Sequence, residues 1–325
     1  MPTQLPSIAS TSWEHPADRA ALNALRALPG FDEVVRKVAG VLGERSLRHL
    51  YTANAVRVSA RQRPQLDSLY TEVLTALDWP DRPELFVSQT PSVNAMAVGF
   101  DKPFIVINSS MLEILDREER RVILAHELGH VMSGHNTYRT IAVLLLTVGL
   151  SNLPTLVGAA LLPFHLAILD WYRKSEFSAD RAGLLGSQDQ RKTLGVFMQL
   201  AGGVRDDDDA MDLDEFLAQA AEYETRGSAW DSFLKLLNTA FRDHPFATVR
   251  AAELNRWIAA GGYDAIMRGE YRRRGDPPPQ NLADDFAEAG SYYRQQAESA
   301  ASQVKDSFNK AGDAFRDAFR KNDKA

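Results

Sequence analysis

Thirty consecutive residues, 140–169, contain no Asp, Glu, Lys or Arg, and this stretch limits the folds open to the chain more than any other feature. A single transmembrane helix needs about 20 uninterrupted apolar residues. The turn-forming sequence Ser151-Asn152-Leu153-Pro154 divides the stretch into runs of roughly 10 and 15 residues. At 1.5 Å per residue, such runs reach only about 15 to 22 Å, less than the roughly 30 Å hydrocarbon core of a bilayer. We therefore expect a hairpin of two antiparallel helices.

Two surroundings are compatible with this hairpin. Arg139 precedes the apolar stretch, and Arg173 and Lys174 follow it, so the hairpin base would be positive, as expected for cytosolic residues beside a membrane. In the alternative, the hairpin tip packs beneath the N-terminal helices of a soluble protein. The length argument favours a soluble enzyme, or one bound peripherally to the cytoplasmic membrane face through residues 141–169 and the C-terminal tail.

Composition excludes several classes of protein. The chain has 325 residues, 45% hydrophobic and 25% charged, as in ordinary globular proteins. Its net charge of -6 offers no general cationic surface for phosphates, so we expect no nucleic acid partner. Cysteine is absent, which excludes disulfides and thiolate zinc sites and leaves His and carboxylates as metal ligands. Residues 1–16 have no pattern of a secretory signal peptide, which predicts a cytoplasmic location.

Periodicity and composition divide the chain into four predicted segments. They are an N-terminal helical segment (residues 1–63), a main domain (64–271), a Pro-rich linker (272–280) and an amphipathic helical tail (281–325). Short β-rich runs between Glu84 and Asn108 predict a small antiparallel sheet of about three strands, and residues 55–59 are a further extended stretch. Asp116 is expected to begin a long helix. The predicted fold class is therefore α+β and mostly helical.

The sequence His126-Glu127-Leu128-Gly129-His130 is the one short motif that indicates chemistry by itself. On an α-helix, positions four apart share a face, so both imidazoles can reach one metal ion. Glu127 lies beside them and can accept a proton from water. At this His and Glu content the pattern arises by chance in roughly one sequence in a hundred, so its context has to decide.

A hydrolytic zinc site needs three protein ligands and an open position for water. Three residues are candidates for the third ligand. His135 lacks the spacing of the longer HExxHxxGxxH pattern, because Ser133 and Asn136 replace the required Gly and His, so we assign it to the surface or beside a ligand. His165 lies in the apolar stretch, where a lone His is more often a core residue. Glu176 is the candidate we choose.

The geometry of a hairpin favours Glu176. If the helix with His126 and His130 continues to the turn that begins at Ser151 and returns antiparallel, residues equally far from the turn face each other. His126 and Glu176 each lie 25 residues from Ser151. The return helix then brings Glu176 level with the histidines, and Asp180, one turn further, can orient an imidazole. Without a metal, Glu176 and Asp180 would be surface acids paired with nearby basic residues.

Several short patterns together resemble one family, the HtpX-like zinc metallopeptidases, a gluzincin family that also contains the CaaX prenyl endopeptidases. The matching patterns are Asn94-Ala95, the HExxH motif at 126–130, Glu176-x-x-x-Asp180, Asp243-His244-Pro245 and Arg250. The resemblance extends from about Leu66 to Trp257. It implies a gluzincin-type fold, with a small antiparallel sheet beside the HExxH helix and a helical hairpin, and it makes residues 64–271 a zinc metallopeptidase domain.

The resemblance also implies an activity, the hydrolysis of peptide bonds in proteins or peptides. His126, His130 and Glu176 would bind one zinc ion per chain. Glu127 would act as the general base on a zinc-activated water and then as the general acid. The enzyme would be a metalloendopeptidase.

Further roles follow from the same resemblance. Asp180 would orient a metal ligand, and His244 would donate a hydrogen bond to the oxyanion. Arg250 would support the site. Asn94 and Ala95 would bind an extended peptide substrate, because the edge of a strand pairs with the backbone of many sequences.

A non-catalytic module is the alternative. In that case zinc would stabilise the helical hairpin, and the apolar tip and Phe-lined tail would bind a membrane or a partner. A structural zinc site usually has four protein ligands and has no need of Glu127, so we favour the metalloendopeptidase.

Overall fold

The computed structural model describes residues 1–27, 44–148, 155–203, 209–225 and 245–276, with the side chains of 44, 143–166, 224 and 225 excepted. The α-helices in this part are α1 Pro16–Arg26, α2 Glu44–Asn54, α3 Pro64–Ala76, α4 Ser109–Ile114, α5 Arg117–Met132, α6 Asn136–Val148, α7 Thr155–Ser187, α8 Gln190–Gly202, α9 Leu213–Thr225, α10 Ala247–Ala259 and α11 Gly262–Met267. The strands are β1 Ala55–Arg57, β2 Glu84–Ser88, β3 Ala95–Val98 and β4 Phe104–Asn108. The predicted fold class, mostly helical α+β, is confirmed.

The sheet requires one correction. Its four strands have the order β1-β2-β4-β3, and β2 pairs parallel with β4, while the other two pairings are antiparallel. The sequence predicted about three strands and antiparallel pairing throughout. Alternating apolar residues indicate the faces of a strand but do not specify its neighbours. Here β3 folds back on the outer side of β4, which leaves β2 and β4 to pair in parallel.

Strand β3 lies at one edge of the sheet and packs against α5. Gly99 follows it with φ of 119°, a backbone conformation that other residues rarely adopt. The N–H of Gly99 donates to Oγ1 of Thr140 at 3.0 Å, and Nδ2 of Asn136 donates to the carbonyl of Gly99 at 3.0 Å. Helix α6 is thereby attached to the end of the edge strand.

Helix α5, which contains the HExxH motif, begins at a capping box. The carboxylate of Asp116 accepts from the backbone N–H of Glu119 at 2.9 Å, and the carboxylate of Glu119 accepts from the N–H of Asp116 at 2.9 Å. This arrangement satisfies donors that would otherwise have no partner in the first turn. The predicted start of the long helix at Asp116 is confirmed.

The end of α5 differs from the prediction. A helix continuous to Ser151 was expected, but α5 ends at Met132 and α6 begins at Asn136. Gly134 has φ of 66°, the left-handed conformation that commonly terminates helices. The N–H of His135 still donates to the carbonyl of His130 at 2.9 Å. The turn therefore folds His135 back beside His130.

Helices α5 and α7 pack closely and antiparallel through small residues. A Cβ atom built on Gly129 would lie 2.4 Å from Cβ of Ala182, and one built on Gly186 would lie 2.4 Å from Cβ of Ala125. Larger side chains at these positions would separate the two helices. This direct packing sets the level at which residues of α7 face the HExxH motif.

The N-terminal segment shares the main hydrophobic core. Ile8 and Trp13 are fully buried in the same cluster as residues of α3 and α5. Ile8 also pairs with Arg273 in an isolated antiparallel bridge. The four-segment division of the chain stays a prediction, and the tail at 281–325 lies outside the described residues.

Within the described part of the chain, no helix has both the length and the apolar character that a bilayer-spanning segment requires.

Candidate metal centre

Three side chains suited to bind a metal meet between α5 and α7. Nε2 of His126 lies 3.2 Å from Nε2 of His130. Different oxygens of Glu176 lie 3.6 Å from Nε2 of His126 and 3.3 Å from Nε2 of His130. All three residues are buried, and their ligand-type atoms lie within 4.8 Å of one another. The predicted approach of Glu176 to the two histidines is confirmed.

These separations suit a tetrahedral ion. Two ligand atoms, each about 2.1 Å from a zinc ion at the tetrahedral angle, lie about 3.4 Å apart. The separation of the two imidazole nitrogens, 3.2 Å, and that of Oε1 of Glu176 from Nε2 of His130, 3.3 Å, are close to that value. Two imidazoles and one carboxylate are also a ligand set that zinc uses in hydrolytic enzymes.

Buried charged groups surround the cluster. Glu127, Glu176 and Asp180 are three buried carboxylates, and the buried guanidinium groups of Arg139 and Arg250 contact Glu176 and Asp180. A metal ion bound by the cluster would share the negative charge of the carboxylates with these two arginines.

His126 is held by Asp180, which an arginine holds in turn. Oδ1 of Asp180 lies 3.0 Å from Nδ1 of His126, and Nε of Arg250 donates to Oδ2 of Asp180 at 2.9 Å. Burial acts to raise the pKa of Asp180, but the charge of Arg250 and its hydrogen bonds lower it overall. Burial likewise opposes protonation of His126, but Asp180 and Glu176 raise its pKa to about 9. Metal binding would compete with that proton.

Two arginines lie beside Glu176. Nη1 of Arg250 is 3.4 Å from Oε2 of Glu176, and Nη1 of Arg139 donates to Oε1. The guanidinium of Arg139 also lies over the ring of Tyr172, 4.1 Å from its centroid. The sequence placed Arg139 at the positive base of a hairpin, either beside a membrane or in a soluble protein. Its side chain is instead buried at the cluster, because the turn after α5 brings the first turns of α6 against α7.

His130 is held in a different way. Its Nδ1 lies 3.1 Å from Nδ1 of His135, and Nε2 of His135 lies 3.0 Å from Oδ2 of Asp18 in α1. His135 is only 2% exposed, so of its two expected positions the surface is excluded and the neighbourhood of a ligand is confirmed. Burial acts to raise the pKa of Asp18, but His135 and the other donors lower it.

A sequence profile of peptidase family M48 matches residues 60–258, more than half of the chain. The chain belongs to peptidase family M48. The resemblance to HtpX-like metallopeptidases is thus confirmed, and the M48 chain is a zinc metalloendopeptidase, a hydrolase that acts on peptide bonds.

Individual relatives agree with this assignment. The plastoglobule-localized metallopeptidase 48 of Arabidopsis thaliana chloroplasts is 32% identical over 266 residues, 80% of this chain and 76% of the relative. A protease HtpX homolog 2 from Methanosarcina acetivorans is 25% identical over 232 residues, 64% of this chain and 77% of the relative. A protease HtpX homolog from Helicobacter acinonychis is 25% identical over 179 residues, which are 47% of this chain and 57% of the relative. No solved structure matches the chain significantly.

The M48 cluster contains several of the other predicted site residues. Glu127 is buried, with Oε1 4.0 Å from Nε2 of His126. Arg250, a residue selected by family resemblance, contacts both Asp180 and Glu176.

The remaining predicted residues lie at the edge of the sheet or outside the described part of the chain. Asn94 precedes β3 and Ala95 begins it, at the sheet edge next to α5. His244 and the side chain of His165 lie outside the described residues.

Sequence reasoning missed Asp18 and did not place Arg139 at the metal cluster. Asp18 lies more than 100 residues before the HExxH motif, and no motif or spacing marks it. Arg139 had a usable signal, since it is the last charged residue before the apolar stretch and follows His135 by one helical turn.

Proposed function

We propose that this M48 peptidase binds one zinc ion per chain through His126, His130 and Glu176. One observation supports this above all: in a buried site, Nε2 of His126 and Nε2 of His130 lie 3.2 Å apart, and the carboxylate of Glu176 places one oxygen 3.3 Å from His130 and the other 3.6 Å from His126. A bound zinc ion would polarise the scissile carbonyl and lower the pKa of a water molecule.

Glu127 is the proposed general base and acid. Its carboxylate lies beside the ligand nitrogen of His126, where it can take a proton from a water molecule at the cluster and later donate it to the leaving amine. Asp180 would keep the imidazole of His126 oriented, and Arg250 would keep Asp180 ionised and fixed. His244 would donate a hydrogen bond to the developing oxyanion, a role that rests on the family resemblance alone.

The edge strand β3 is the proposed binding site for the substrate backbone. β4 occupies one side of β3, and among the described residues nothing pairs with the other side. A peptide added there would begin beside Asn94 and Ala95 and run along α5. Backbone pairing of this kind suits protein substrates of varied sequence.

The test compares wild type with Glu127→Gln, which keeps the size of the side chain and removes the base. Both proteins should bind one zinc ion per chain, measured by atomic emission. Only the wild type should cleave a denatured protein substrate, with a loss of about 100- to 10,000-fold in the variant. Glu118→Gln, the same change on the exposed side of α5, should retain activity.

Two results would contradict the proposal. Equal turnover by wild type and Glu127→Gln would exclude Glu127 as the base. Full zinc occupancy with no cleavage by either protein, under conditions in which a known protease cleaves the substrate, would favour the non-catalytic module.

The second part of the proposal is that the protein contacts a membrane. Residues 140–169 have no charged side chain, and one relative is named for its location at plastoglobules. We propose peripheral contact through the part of 141–169 that lies between the buried pairs Ile141–Ala142 and Ile168–Leu169, and through the C-terminal tail, with the peptidase on the cytoplasmic face. Flotation with liposomes of neutral and anionic lipid tests this; recovery of the full chain only in the unbound fraction would contradict it.

A further inference from the structure

A chain of buried hydrogen bonds connects the metal cluster to helix α1. It runs from His130 to His135 at 3.1 Å and from His135 to Asp18 at 3.0 Å. His130 and His135 belong to α5 and the turn after it, whereas Asp18 belongs to the first turn of α1. Helix α1 also lies before residue 60, where the match to the family profile begins.

The positions of the protons in this chain follow from the metal ligand. If His130 uses Nε2 to bind a metal, its own proton must be on Nδ1, which then donates to Nδ1 of His135. His135 must therefore accept at Nδ1 and hold its proton on Nε2, which donates to Asp18. Every ring nitrogen in the chain then has a partner of the correct kind.

Asp18 is firmly fixed for this role. Nε1 of Trp171 donates to Oδ1 at 2.9 Å, and Oγ of Ser178 donates to Oδ2 at 2.6 Å. Both donors lie on α7, on either side of Glu176. The carboxylate of Asp18 is 1% exposed and also lies near the positive N-terminal end of α1.

We propose that Asp18 and His135 are positioning residues of the metal centre, which fix the orientation and tautomer of His130. Helix α1 is thus a part of the metal site as well as a part of the fold. This inference rests on the proposed binding of zinc by His130. Residues that orient a ligand in this way typically contribute 10- to 100-fold to metal affinity.

The experiment measures zinc affinity directly. Full-length protein is stripped of metal, and the dissociation constant for zinc is measured by competition with a chromophoric chelator, well below the melting temperature of each metal-free variant. Asp18→Asn keeps the shape of the side chain and removes its charge, so we expect the dissociation constant to rise about 10- to 100-fold.

A pair of substitutions at His135 provides a rescue test. Asn presents an amide oxygen close to the position of Nδ1, so His135→Asn keeps an acceptor for His130 and loses the link to Asp18. His135→Leu loses both. We expect zinc affinity to fall in the order wild type, His135→Asn, His135→Leu. The absorption spectrum of the cobalt(II)-substituted proteins should change in the same order, as a report of ligand geometry.

Glu253→Gln is the matched control for general loosening of α1. Oε2 of Glu253 lies 3.4 Å from Nε2 of His15, the residue that caps α1, and this side-chain contact is not part of the hydrogen-bonded chain from His130 through His135 to Asp18. This variant should lower the melting temperature of the metal-free protein and leave the zinc dissociation constant within about two-fold.

The outcomes are distinct. Wild-type zinc affinity in Asp18→Asn, or an equal loss of affinity in Glu253→Gln, overturns the inference. If Asp18→Asn does not fold, the His135 pair decides, and equal affinity of the Asn and Leu variants overturns it. Failure of the wild type to bind zinc instead overturns the proposed function itself.

Discussion

The two histidines of the HExxH motif are held by different kinds of contact. His126 is held by Asp180, whose charge is balanced by Arg250. His130 is held through His135 by Asp18, which accepts from Trp171, Ser178 and, in the tautomer that zinc binding by His130 requires, a neutral His135. The first support is an ion pair within the region that matches the family profile, and the second is a hydrogen-bonded chain that ends outside that region.

The two supports should respond differently to damage. Removal of one partner of a buried ion pair leaves an uncompensated charge, which is strongly destabilising. Removal of one neutral donor from a carboxylate that has several costs only one hydrogen bond. Loss of one partner should therefore destabilise the ion pair at His126 strongly, whereas loss of one donor should destabilise the hydrogen-bonded chain at His130 only slightly.

The largest expected effect is on activity, and it should be the same for both histidines. His126→Ala and His130→Ala each delete a proposed zinc ligand, so each should lower kcat/KM by more than about 1,000-fold. Zinc content and peptidase activity are the measurements, and the two variants should be equally impaired. Retention of zinc and activity by either variant would show that the ligand set is misassigned.

Arg250→Leu is expected to damage the charged support. It removes the buried guanidinium that pairs with Asp180 and contacts Glu176, so the free energy of unfolding of the metal-free protein should fall by about 3 to 5 kcal/mol. Denaturant unfolding measures this. Arg256→Leu is the control on the same helix, since this side chain is 52% exposed and its ion pair with Glu253 should contribute at most about 1 kcal/mol. Similar losses in both variants would contradict the comparison.

Trp171→Phe is expected to have a smaller effect on the hydrogen-bonded support. It removes the indole N–H donor to Asp18 and keeps an aromatic ring, so the free energy of unfolding should fall by about 1 to 2 kcal/mol. Ser178 and His135 still donate to Asp18 in this variant. A loss as large as that of Arg250→Leu would mean that the two supports do not differ in kind.

The smallest expected effect is a pH dependence at the start of α1. Nδ1 of His15 accepts from the N–H of Ala17 at 3.1 Å, and burial lowers the pKa of His15 although its bond with Glu253 opposes this. As the pH falls, the unfolded chain therefore binds the proton first. The stability from this cap is complete above about pH 6.5 and is lost progressively below it.

A variant isolates that contribution. Asn also caps helices and does not titrate, so His15→Asn should lose less melting temperature than the wild type between about pH 7 and pH 5. Equal losses in the two proteins would assign the acid sensitivity to other groups.

Sequence reasoning found one support and missed the other for physical reasons. Asp180 follows Glu176 by one helical turn, so once one residue was placed the other followed from helix geometry. The assumed continuous helix was wrong, yet Glu176 does lie level with the histidines, because α5 packs directly on α7 through Gly129 and Gly186. Helical periodicity was therefore sufficient to predict that Glu176 and Asp180 lie beside the histidines.

The other side depends on tertiary contacts that no local pattern encodes. The helix break at Gly134 brings His135 back to His130. The spacing of the HExxHxxGxxH pattern, by which His135 was assessed, gave no indication of this turn. Asp18 becomes relevant only when α1 packs against α7. Arg139 was interpreted from its charge and its neighbours in sequence, which carry no information about which charged groups are buried together. The order of the strands was unpredictable for the same reason.

The separation along the chain of the residues that form the two supports affects when the peptidase can become active during synthesis. Asp18 is made early, but Ser178, which donates to it, follows 160 residues later, and Arg250 follows later still. Ribosomes add about 5 to 20 residues per second, so a nascent chain spends many seconds with the HExxH helix made and its supports incomplete. Assembly from distant parts of the chain thus delays proteolysis until Arg250 has left the ribosome.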